Sequence, residues 1–138
     1  GGMLRIALRK EKAGALDSVV FSDTIDDMPG LYNTSDLVIF PASDLKGKFD
    51  VPLIIIEAYA CGKPVILSDL APFEEFSNES ICATIPRGHG DKLIETVAYL
   101  SQNKEARERL GWAARVFVEQ RFDLKETARQ YEEIYSSL

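Results

Sequence analysis

The chain is short of the residues that mark several protein classes. Its two cysteines, Cys61 and Cys82, sit in apolar surroundings and form no C-x-x-C pair. That excludes a disulfide scaffold and fits two buried thiols in a reducing compartment. There is one histidine, His89, between Gly88 and Gly90, and no cluster of metal-ligand spacing, so no metal is expected. No apolar run approaches the roughly 18–20 residues needed to cross a bilayer, and no charged-then-apolar leader opens the sequence. Basic residues are in deficit, 16 Lys and Arg against 22 Asp and Glu for a net charge of −6, which argues against nucleic acid as a partner. No Walker loop and no nucleophile elbow occur, and Gly88-His89-Gly90 lacks the third glycine of a dinucleotide fingerprint. A cytoplasmic location is expected, with peripheral membrane association left open for a longer protein.

What is present is a chain of 138 residues, 46% hydrophobic and 28% charged, enough for one domain with a real core. Gly1-Gly2 before Met3 resembles a cloning remnant, leaving residues 3–138 as a single domain. Short apolar runs alternate with helical patterns. A helix is expected over 3–13, then a strand at Ser18-Val19-Val20-Phe21 and a short helix over Asp26–Tyr32 ending near Asn33. A buried strand follows at Asp36–Phe40, stopped by Pro41, and a polar loop runs from Ala42 to Lys48. After it come a helix opening at Pro52, a strand over 64–68 and a short helix over Pro72–Phe76. A fourth strand at Ile81–Ile85 leads into a turn at Pro86–Gly90.

Three helices close the chain. Asp91 is expected to cap the first, with Leu93, Ile94, Val97 and Leu100 inward. Asn103 caps the second, with Ala106, Leu110, Ala113, Ala114 and Phe117 inward, and Asp123 the third, with Leu124, Ala128, Tyr131 and Ile134 inward. Trp112, Phe117, Phe122, Tyr131 and Tyr135 fall at helical spacing and read as core for this tail. Strand–helix alternation of this kind predicts an α/β fold, a Rossmann-like parallel sheet sandwiched by helices with a helical C-terminal tail. In such sheets ligands bind beyond the C-terminal ends of the strands.

The central stretch carries the chemistry. Pro52 suits the first position of a helix, Gly62 suits the position just past its end, and Pro64 forbids continuation. A helix N-terminus offers free amides and partial positive charge to a phosphate, which makes Leu53 and Ile54 candidates. Glu57 stands in a run otherwise apolar from Val51 to Cys61, and a buried carboxylate needs a partner. Two partners fit its chemistry: sugar hydroxyls that donate to it, or a neighbouring protein group.

These residues resemble the C-terminal domain of the group 1 (family 4) retaining glycosyltransferases of the GT-B fold. The resemblance runs from about Asp17 to the end, through Ser18–Phe21, Leu31–Pro41 and most strongly Leu53–Ile66, and includes Arg121-Phe122-Asp123 before the last helix. It implies a nucleotide-activated sugar lodged between two Rossmann-like domains and transferred with retention of configuration, with no cofactor. The family signature is two glutamates with seven residues between them. By resemblance Glu57 is the second, which holds the nucleotide ribose, while the amides of Leu53 and Ile54 face the diphosphate.

The first glutamate position is Phe49, which carries no acid. Asp44 or Asp50 is left as the candidate catalytic carboxylate. Relative to the family, the N-terminal acceptor domain and the first strand of the C-terminal domain are missing, so this fragment alone is expected to bind donor weakly and to catalyse nothing. The alternative is a non-catalytic relative kept for assembly or regulation, motivated by Phe49.

Overall fold

A computed structural model describes Ser22, residues 24–44 and residues 53–137. The helix expected over 3–13, the strand at 18–21 and the residues Phe49, Asp50 and Pro52 lie outside the described residues. The described elements, in order, are α1 (Met28–Thr34), β1 (Val38–Phe40), α2 (Leu53–Ala60) and β2 (Val65–Ser68). A 3₁₀ turn at Ala71–Phe73 follows, then β3 (Ala83–Ile85), α3 (Gly90–Gln102), α4 (Lys104–Arg121) and α5 (Leu124–Ser136).

The strands form a parallel sheet in the order β1-β2-β3, with Val38 opposite Val65 and Ile66 opposite Ala83. Central β2 is buried throughout, as its unbroken apolar run requires. Its side chains alternate between two cores. Val65 and Leu67 pack with Ile55, Ala58 and Tyr59 of α2 and with Ala114 and Val118 of α4. Ile66 packs on the other side with Leu100 of α3 and with Ala106 and Leu110 from the start of α4. The sheet is thus sandwiched by helices, in agreement with the α/β fold expected from the sequence.

The turn after α2 fixes how the helices close on the sheet. The Lys63 N–H donates to the Ala58 carbonyl at 2.9 Å and the Gly62 N–H to Tyr59 at 2.9 Å, the paired bonds of a Schellman motif. Gly62 takes φ +66° to make it. Gly111 of α4 then lies against the Gly62 backbone. A Cβ on Gly111 would overlap the Gly62 carbonyl oxygen and stand 2.9 Å from its carbonyl carbon. Only glycine at 111 allows α4 to approach α2 this closely.

Several expectations are corrected. The fourth strand begins at Ala83 rather than Ile81, because Ile81 and Cys82 both donate their N–H groups to the Asn78 carbonyl and are held in a turn. α3 begins at Gly90 with His89 in the cap position, so Asp91 stands inside the first turn and serves the helix dipole rather than the cap. Leu100 is buried and Leu93 and Val97 are half-buried, but Ile94 is exposed.

The Asn103 and Asp123 caps form as expected, with Asn103 Oδ1 accepting from the Ala106 N–H at 3.0 Å and Asp123 Oδ1 from Lys125 at 2.7 Å. α5 buries nothing. Leu124, Ala128, Tyr131, Ile134 and Tyr135 line up at helical spacing but face solvent, and Trp112 and Phe122 are exposed as well. Of the aromatics assigned to the tail core, Phe117 packs inward, against Tyr59 and Phe76.

Candidate functional site

The C-terminal ends of the three strands open on one side of the molecule. β1 runs into Pro41-Ala42-Ser43-Asp44, β2 into Asp69, and β3 into the turn at Pro86–His89 where Gly88 takes φ +79°. Asp69 donates its N–H to the Ile85 carbonyl at 2.8 Å, which ties two of these ends together. A hollow of about 220 Å³ lies between them, lined by Pro41, Ser43, Ser68, Ile85 and His89. Ser68 is a buried polar residue, 3% exposed.

α2 begins on the same side, because it connects β1 to the parallel strand β2 beside it. It is apolar nearly all round and buries Ile55, Ala58 and Tyr59. Leu53 and Glu57, four residues apart, stand on one exposed strip of this helix. The carboxylate expected to be buried is therefore at the surface. The fold buries its partner instead.

Tyr32, at the inner side of α1, is 3% exposed. Its hydroxyl donates to Glu57 Oε2 at 3.1 Å and also faces the Ile54 carbonyl at 3.4 Å. Burial first, then the hydrogen bond to Glu57 and its negative charge, push the Tyr32 phenol up to about 12. The charged form of this tyrosine is thus disfavoured, and it acts as a neutral donor toward the carboxylate. Glu57 Oε1 accepts no hydrogen bond from the described residues.

The expected site residues are thus distributed as follows. Glu57, Leu53 and Ile54 share the first turns of α2, with Ile54 half-buried. Asp44 is exposed at the end of β1. Among the described residues no three His, Cys, Asp or Glu side chains gather as a metal site, and no helix is long and apolar enough to cross a membrane. Tyr32 was not singled out by its sequence context. It lies in the last turn of α1, 25 residues before Glu57, and only the packing of α1 against α2 brings the two together.

Residues 1–103 match the family model described as glycosyl transferases group 1. The chain belongs to this family. A phosphatidyl-myo-inositol mannosyltransferase of Mycobacterium leprae (strain TN) is 25% identical over 132 residues, 95% of the chain and 35% of that protein. A D-inositol 3-phosphate glycosyltransferase of Salinispora arenicola (strain CNS-205) is 30% identical over 105 residues, 74% of the chain and 22% of that protein. The chain therefore spans about a third or less of these relatives.

In fold the group 1 domain is similar to Anabaena HepE, solved in complex with UDP, at a TM-score of 0.73 over 83% of the chain and 31% of HepE, with 23% identity. The helix-sandwiched parallel sheet is that of GT-B glycosyltransferases.

Proposed function

We propose that this chain is the donor-binding part of a retaining glycosyltransferase. It takes a nucleotide-activated sugar, and the family's second Rossmann-like domain brings the acceptor. The observation that carries the reading is the exposed Glu57 carboxylate, anchored through Oε2 by a buried tyrosine. An anchored carboxylate with accepting capacity to spare suits a vicinal diol, because each ribose hydroxyl can donate to it. Leu53 and Ile54 lie one turn nearer the helix N-terminus, where amides and the helix dipole favour a diphosphate. In this reading the diphosphate is met by backbone groups rather than by a metal ion. Asp44 and Asp50 are the candidates for a carboxylate near the reaction centre, since Phe49 supplies none.

Titrating the ¹⁵N-labelled chain with UDP and with GDP tests the proposal. The expected result is a set of shifts centred on Leu53, Ile54 and Glu57 with at least one nucleotide at millimolar concentration, lost in Glu57→Ala while the remaining spectrum is kept. Absence of shifts at α2 with both nucleotides would overturn it. Turnover in the whole protein bears on Phe49. Sugar transfer that falls in Asp44→Asn or Asp50→Asn supports an enzyme with a displaced acid, whereas no transfer at all favours a non-catalytic relative that serves assembly or regulation.

A further inference from the structure

We infer that Tyr32 is a positioning residue that holds the Glu57 carboxylate ready for ligand hydroxyls. The inference rests on the proposed donor site and adds a residue to it. Glutamate has one of the larger rotamer entropies to lose on ordering, and Glu57 is exposed, so an untethered carboxylate there would have to be fixed at the moment of binding. Tyr32 removes part of that cost in advance, which is how preorganisation favours affinity.

Its own position is well determined. α1 is capped by Asp27, whose Oδ1 accepts from the Gly30 N–H at 2.9 Å. At its other end the Ser35 hydroxyl donates to the Leu31 carbonyl at 2.7 Å. Lys63, just after α2, donates from Nζ to the Asn33 carbonyl at 3.1 Å. The ring lies in the main core with Ile55, Ala58 and Tyr59. The phenol has one hydrogen for two acceptors, the Ile54 carbonyl and Glu57 Oε2, and the carboxylate oxygen is the nearer at 3.1 Å. With Oε2 taken by the tyrosine, Oε1 of the exposed carboxylate keeps its accepting capacity for a ligand.

Tyr32→Phe removes the hydroxyl and keeps the ring, so the core packing is retained. The first measurement needs no ligand: side-chain couplings of Glu57 in the labelled chain. The native chain is expected to show one dominant rotamer and Tyr32→Phe an averaged set. Identical couplings in the two chains would overturn the inference. The second measurement compares affinities for UDP and 2′,3′-dideoxy-UDP.

The native preference for the diol is expected to fall about three- to tenfold in Tyr32→Phe, the size of one hydrogen bond, and to vanish in Glu57→Ala. A merely structural tyrosine would weaken both ligands alike. If Glu57→Ala abolishes the preference and Tyr32→Phe leaves it intact, the positioning role is refuted while the donor site stands. If Glu57→Ala leaves the preference unchanged, the donor-site reading fails, and the couplings alone decide whether Tyr32 holds Glu57.

Discussion

Tyr32 O–H meets Glu57 Oε2 at 3.1 Å, joining a buried phenol to an exposed carboxylate. The pairing has a consequence at high pH. The phenol is raised from its ordinary value of 10.0 to about 12 in the folded chain, so the unfolded chain loses this proton first. The corresponding stability is fully present below pH 10, declines as pH rises above it, and is gone beyond about pH 12. Denaturant midpoints measured from pH 8 upward should fall more steeply in the native chain than in Tyr32→Phe. In Glu57→Gln the Tyr32 phenol, followed by ultraviolet absorbance, should titrate lower than in the native chain yet still above 10, because burial remains its largest cause.

The approach of Gly111 to Gly62 gives two substitutions with different physics. Gly111→Ala drives a methyl into the Gly62 backbone, which cannot yield as a flexible side chain would. A loss of about 3 kcal/mol is expected. Gly62→Ala meets no such obstacle, its nearest neighbours being 3.8 Å away or more, but φ is +66°. The left-handed backbone alone should cost about 1–2 kcal/mol. Urea unfolding of the two variants checks the order, and Gly62→Asn should lie closer to the native chain than Gly62→Ala.

Tyr59 is fully buried, and its hydroxyl donates to the Phe76 carbonyl at 2.6 Å. Tyr59→Phe keeps the ring and orphans that carbonyl. The expected loss is about 1–3 kcal/mol, with no change in nucleotide affinity, since Tyr59 points into the core. Chemical denaturation beside a UDP titration separates this variant from Tyr32→Phe, which is expected to alter ligand preference.

The exposed face of α5 should be energetically quiet in this chain. Leu124 is 81% exposed and Ile134 57%, so Leu124→Ala and Ile134→Ser should each change unfolding free energy by less than about 0.5 kcal/mol. Losing the Asp123 cap is a different matter. Its side chain accepts from the Lys125 and Glu126 N–H groups, and Asp123→Ala should reduce the helical signal of α5 by circular dichroism at a cost of about 1 kcal/mol.

Much of this architecture was legible because local chemistry and global fold agree. The unbroken run Pro64–Leu67 could only be a doubly covered strand, Gly62 could only end a helix in that context, and Asn103 and Asp123 cap where short polar residues precede helical patterns. Ile81 and Cys82 were misleading because apolar residues mark burial as readily as strand, and the Asn78 carbonyl takes their amides. The stripe on α5 was correctly periodic. Periodicity reveals that a helix has an apolar face, but whether the same chain covers it depends on tertiary packing. Glu57 stood out as an acid in an apolar run, yet its surface position and its tyrosine follow only from the packing of α1 on α2.

Trp112, the single tryptophan of the chain, stands 71% exposed on α4. An indole already surrounded by water has little environment left to change when the helices come apart. Its fluorescence should therefore shift only slightly on unfolding, and a flat emission trace would not mean an unfolded starting state. The tyrosines at 32 and 59, both enclosed in the main core, are the chromophores whose near-ultraviolet signal will register the loss of native packing.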